Sequence, residues 1–121
     1  MPELSRILTP VDFSEQSGAA ALYAKKLAEH FHSELLLVHV AGPDLQMAAV
    51  DAGLPSQGWN VQPAAAAEQR LNGFLTGELE GVAVRRVVLE GDPARAIVSY
   101  AHTEKADLIV MPTHGYGPFR R

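Results

Sequence analysis

Ile7-Leu8-Thr9-Pro10-Val11-Asp12-Phe13-Ser14-Glu15 is the stretch whose reading decides the fold. A short apolar run ends at or near a proline, because proline has no N–H to give to a sheet ladder. Asp12-Phe13-Ser14 then reads as a turn. Ser14 suits a helix N-cap and Glu15 the first helical turn. Beyond it Ala20, Ala24, Leu27, Ala28 and Phe31 recur at helical spacing, with Lys25, Lys26 and Glu29 on the other face. The stretch therefore predicts a strand passing at once into an amphipathic helix, from roughly Glu15 to His32.

Working outward, Leu35-Leu36-Leu37-Val38-His39-Val40 is a second strand. It is apolar at nearly every position, as a parallel strand covered on both faces must be. Residues 41–62 hold no period and are broken by Gly42-Pro43, Gly53, Leu54-Pro55 and Gly58. A connection this long tends to be a functional lid or mobile. Ala64 to about Leu79 reads as a second helix with Ala67, Leu71, Phe74 and Leu75 inward, weakened by Gly73 and Gly77. Val82 to Glu90 reads as a strand whose Arg85-Arg86 pair suits a sheet edge. In Gly91-Asp92-Pro93, Asp92 can cap and Pro93 fits the first helical position. The helix it opens runs to about Glu104. Asp107 to Met111 is a last strand, and Pro112 to Pro118 a loop. The order β-α-β-loop-α-β-α-β predicts a parallel sheet with helices on both faces and right-handed crossovers.

Leu108 to Met111 is as apolar as Leu35 to Val38, and an open edge of that kind invites aggregation. The chain of 121 residues stops at Arg121 with no strand after it. Either another chain covers that edge, or the biological protein continues; continuation is the favoured expectation.

Composition excludes several classes. Apolar residues make up 47% and there is no cysteine, so disorder, a disulfide scaffold, a thiolate metal site and a cysteine nucleophile are ruled out. Ten Lys+Arg face fourteen Asp+Glu, a net charge of −4, which argues against a nucleic-acid partner. No apolar run approaches the ~20 residues that span a bilayer, and the N-terminus lacks a signal-type pattern. The expectation is a cytoplasmic protein with no membrane partner.

Ligands of an open parallel sheet bind beyond the carboxyl ends of its strands, where strand order reverses. Four loops lie there: Pro10 to Ser14, Val40 to Pro43, Glu90 to Pro93 and Met111 to Pro118. Glycines in the last let backbone N–H groups approach phosphate, or simply make a flexible connection. Two readings fit Asp12 equally. It accepts from a ribose hydroxyl or base amine or binds a phosphate-bound divalent cation, or it is a turn residue or secondary helix cap. His114 is placed to donate to phosphate, or is a solvated loop histidine. His39 reads as a core histidine bonded to a neighbouring carbonyl. Phosphate-loop, nucleophile-elbow, His-Glu-x-x-His and dinucleotide fingerprints are missing.

Ile7 to Ser14, Leu37-Val38-His39-Val40, Glu90-Gly91-Asp92-Pro93-Ala94 and Ala106 to Gly115, in this order and spacing, resemble the universal stress protein family. The resemblance runs from near residue 5 to the last residue. It implies a three-layer α/β/α, Rossmann-like fold with a parallel twisted sheet of order 3-2-1-4-5, its fifth strand missing from this chain. It also implies a homodimer, through that fifth strand in the family. Residues 1–121 would form one nucleotide-binding domain, incomplete at its C-terminus. One branch of the family binds ATP through Gly-x-x-Gly, nine residues, then Gly-Ser or Gly-Thr; another branch does not. Gly115 matches the second glycine, Pro112 stands at the first, and the Gly-Ser pair would fall past Arg121.

Carried over by position, Pro10, Val11 and Asp12 meet the nucleoside and the backbone of Val40 meets adenine. Met111, Thr113, His114 and Gly115 form the wall and phosphate loop. The implied ligand is ATP or AMP with Mg²⁺. Pro112 removes a backbone donor, so ATP is expected to bind this form weakly or not at all. The expectation is a stress-response regulatory module and not an enzyme. The alternatives are a member that binds no nucleotide and acts by dimerisation and protein contacts, an adenylating enzyme, and, lowest, a phosphoacceptor domain.

Overall fold

In the computed structural model, which describes residues 4–41 and 57–112, the opening run is the strand β1 (Arg6–Pro10). It lies between β2 (Glu34–Ala41) and β4 (Leu108–Ile109), and β2 in turn pairs with β3 (Ala83–Glu90). Every pairing is parallel and the order is β3-β2-β1-β4. Three helices connect the strands: α1 (Glu15–Phe31), α2 (Gln57–Asn72) and α3 (Pro93–Thr103).

Successive residues of a strand point to opposite faces, and here both faces are covered. Ile7, Val11, Leu35 and Leu37 pack with Ala21, Ala24 and Ala28 of α1 and with Leu71 of α2. Leu8, Leu36, Val38 and Val40 pack with Ile97 of α3. That is why Leu35 to Val38 shows no polar alternation: all four are fully buried. Each such side chain contributes about 1.5–3 kcal/mol by leaving water. Strands β1, β2 and β3 progress one way across the sheet with their helices on one face. The step from β3 to β4 reverses direction, and its helix lies on the other face.

The helix starts follow the sequence closely. Ser14 caps α1, its side chain accepting from the Ser17 amide, and His32 closes the helix in the left-handed region. Asp92 caps α3, accepting from the Arg95 amide, with Pro93 in the first turn. The buried face of α1 consists of the small residues Ser17, Gly18, Ala21, Ala24 and Ala28, whereas Phe31, expected inward, is exposed.

β3 is an outer strand, half-buried over most of its length, as its arginine pair suggested. Those arginines point to opposite faces. Arg86 donates to the carbonyls of Leu71 (3.1 Å) and Phe74 (3.0 Å), just where α2 ends. Arg85 joins Glu104 and Glu34.

Three boundaries differ from expectation. The second helix begins at Gln57 and ends at Asn72, not at Leu79. At its end the Leu71 carbonyl, and just past it the Phe74 carbonyl, accept from Arg86, while Phe74, Leu75 and Leu79 still reach the core from the turns that follow. Part of the presumed 41–62 loop is therefore helix; residues 42–56 lie outside the described residues. The last strand is paired only over Leu108–Ile109 rather than Asp107 to Met111, because the next ladder donor on β1 is Pro10. Among the described residues no helix is long and apolar enough to cross a membrane.

Candidate functional site

The reversal of strand order falls at β1, so a crevice is expected between the carboxyl ends of β1 and β4. Six of the residues singled out in the sequence belong to this end of the sheet. Pro10 closes β1, and Val11 follows it, fully buried, its amide donating to the Val38 carbonyl at 2.7 Å. Val40 is buried near the end of the neighbouring β2. Met111 is half-buried just past β4, and so is Pro112. Asp12, half-buried, is the first residue of the turn into α1. Thr113, His114 and Gly115 lie outside the described residues.

Asp12 is held by the helix it introduces. Its Oδ1 accepts from the Ser14 amide (3.0 Å) and the Ser14 hydroxyl (2.5 Å). Its own amide donates to Ser17 Oγ at 3.3 Å, and Ser17 Oγ donates to the Ser14 carbonyl at 3.0 Å. The turn-and-cap use of Asp12 is thus present. Both hydrogen bonds from Ser14 fall on Oδ1. Burial pushes the carboxyl pKa up, but the bonds from Ser14, Ser17 and the backbone outweigh it. The net direction is down. The group is a carboxylate at neutral pH and can only accept hydrogen bonds or bind a cation.

Behind Asp12 stands an aromatic wall. Phe13 takes a left-handed backbone conformation, φ 69°. Its ring meets His39 at 4.5 Å and the edge of Phe74 at 5.5 Å, and the Arg70 guanidinium sits 4.4 Å from its centre. Contacts of this kind are each worth on the order of 1 kcal/mol. His39 Nδ1 bonds the Val11 carbonyl at 2.8 Å, the core role read from its strand position. Sequence reasoning missed the wall, since Phe13 is distant in sequence from Phe74 and Arg70. It also missed Thr9, whose hydroxyl donates to the Val110 carbonyl at 2.8 Å. A polar residue beside a strand-ending proline was the available signal.

Among the described residues no group of three or more His, Asp or Glu gathers to hold a metal ion. The arrangement offers one ionised carboxylate, buried apolar side chains and strand-end backbone at a strand switch. Such a set suits holding a ligand rather than reacting with it; the described residues place no nucleophile–base pair there.

Comparison with known proteins agrees with this architecture. The structure resembles that of hypothetical protein MJ0577, with a TM-score of 0.72 and 26% identity, covering 95% of this chain and 78% of the other. It shares the fold of a universal stress protein solved in complex with cAMP, with a TM-score of 0.62, 18% identity, and 89% and 71% of the two chains covered. In sequence it is 33% identical over 115 residues to universal stress protein MJ0531 of Methanocaldococcus jannaschii. That match takes in 91% of this chain but only 65% of the relative's length. The model of the universal stress protein family matches residues 3–121. The chain belongs to the universal stress protein family.

Proposed function

We propose that residues 1–121 act as one adenine-nucleotide-binding regulatory domain, a cytoplasmic homodimer in the stress response, with no catalytic residue of its own. The ligand lies over the carboxyl ends of β1 and β4. Pro10, Val11, Val40 and Met111 supply apolar and backbone contacts to the nucleoside. Thr113, His114 and Gly115, outside the described residues, are assigned to the phosphates by the family resemblance alone. The observation that carries the reading is Asp12, an ionised carboxylate held by Ser14 at the strand switch with no arginine or lysine paired to it among the described residues. A ribose diol or an adenine amine is a donor that this carboxylate can accept from. A universal stress protein of the same fold has been solved in complex with cAMP, which supports a nucleotide as the ligand class.

Mg²⁺ prefers a few carboxylates plus phosphate oxygens to an all-protein cage. One carboxylate here, Asp12, fits that use and no more. When bound with ATP, the ion would neutralise phosphate charge.

Isothermal titration with AMP, and with ATP plus Mg²⁺, tests the proposal. The expected result is saturable heat with AMP and weak heat or none with ATP, because Pro112 has no amide to offer phosphate. No heat and no thermal shift with either nucleotide would reject it. That same proline favours the second reading, a member that binds no nucleotide and acts through dimerisation and protein contacts. Sedimentation showing a dimer alongside a silent titration would select it.

A further inference from the structure

In the parallel ladder between β1 and β4, donors alternate between the strands. The Val110 amide donates to the Leu8 carbonyl at 2.9 Å. The next donor in the series is the amide of residue 10, aimed at the Val110 carbonyl. Residue 10 is proline and has no N–H. The ladder therefore breaks one step before the crevice, and the Val110 carbonyl loses its partner. A partly buried carbonyl without a donor is costly. The structure fills the gap from the side: Thr9 is fully buried, and its Oγ1 donates to that carbonyl at 2.8 Å.

We infer that the Thr9 hydroxyl is a positioning group that replaces the amide missing at Pro10, and that it fixes the course of β4 into Met111 and Pro112. Three features support the assignment. The β-branched side chain has few χ1 states, so the hydroxyl is held in place. The bond joins the two strands whose ends flank the crevice. No backbone hydrogen bond among the described residues ties β1 to β4 beyond Val110. Without the Thr9 bond, residues 110–112 could swing away from β1 and widen the crevice. The consequence for ligand affinity rests on the nucleotide reading above; the strand-locking role does not.

A double-mutant cycle tests both halves. Thr9→Val keeps the shape and removes the hydroxyl. It should lower the melting temperature of the ligand-free protein by about 5 °C. It should also weaken AMP binding about fivefold. Thr9→Ser should retain most of both. Pro10→Ala restores an amide in ladder register, so in that background Thr9→Val should cost less than half as much in each measurement. If Thr9→Val alone does not fold, a folded Thr9→Val/Pro10→Ala protein supports the inference, and an unfolded one overturns it. Equal losses in the two backgrounds, or no loss in either, also overturn it. Should no variant, wild type included, bind AMP, the nucleotide reading fails while the melting temperatures still judge the Thr9 role.

Discussion

At the amino ends of the strands, charges are shared out among themselves. Glu34 Oε1 accepts from Arg6 Nε and Arg85 Nη2, each at 3.2 Å. Arg85 also meets Glu104 at 2.6 Å, a bond that holds its guanidinium pKa above the ordinary arginine value. Arg6 donates onward to the Glu104 carbonyl at 2.7 Å, and Asp107 accepts from the Ser5 and Arg6 amides. At the carboxyl ends the pattern is different. Asp12 has no cation paired with it among the described residues and is held by the Ser14 amide and hydroxyl instead. The Arg70 cation lies over an aromatic ring instead of on a carboxylate. At the lower rim Glu34 and Glu104 are neutralised by arginines, whereas Asp12 is met by the Ser14 amide and hydroxyl and by no arginine or lysine among the described residues. The contrast fits stability at the lower rim and, under the proposed function, binding at the upper one.

Changes to the layer between the rims should do the most damage. Leu36→Ala removes a fully buried side chain from the α3 face of β2. It should cost about 2–5 kcal/mol in urea unfolding, and loss of nucleotide binding should follow only from loss of fold. Asp12→Ala should weaken nucleotide binding by about 1–3 kcal/mol while changing stability less. An unchanged affinity would remove Asp12 from the site and undo half of the contrast. Glu34→Ala should do the reverse. Because its partners are partly solvated, the melting temperature should fall by only about 2–4 °C, with affinity untouched. A loss of affinity there would show that the two rims are coupled.

The smallest effect is the pH dependence of the upper rim. The Asp12 pKa is lower in the folded chain than in the unfolded one. Its contribution is therefore complete above the unfolded carboxyl pKa and is lost as pH falls through the folded value. Ser14→Ala removes both the hydroxyl that lowers this pKa and the cap of α1. It should reduce stability at neutral pH and flatten the decline from about pH 5 downward. A decline as steep as that of the wild type would show that other carboxylates govern acid unfolding.

The residues that made these regions readable are those whose environment is set locally. The unbroken apolar run Leu35 to Val38 announced a strand buried on both faces. Asp92-Pro93 announced a helix start, and Arg85-Arg86 an outer strand. Pro10, Val11 and Asp12 were legible as a strand end turning into a helix. The failures came from partners distant in sequence. The last strand pairs over fewer residues than its apolar run because a proline on another strand withholds a donor. The second helix ends where Arg86 of β3 takes the carbonyls of Leu71 and, just beyond the helix, Phe74. Phe13 became part of an aromatic wall only because α2 brings Arg70 beside it and the turns after α2 bring Phe74.

The division between the rims is tested most directly by titrating AMP into isotopically labelled protein and following the backbone amide resonances. The account predicts saturable shifts at Val11, Asp12, Val40 and Met111, with Glu34, Ala83 and Asp107 unmoved. Shifts confined to the amino-terminal rim, or none anywhere, would contradict it.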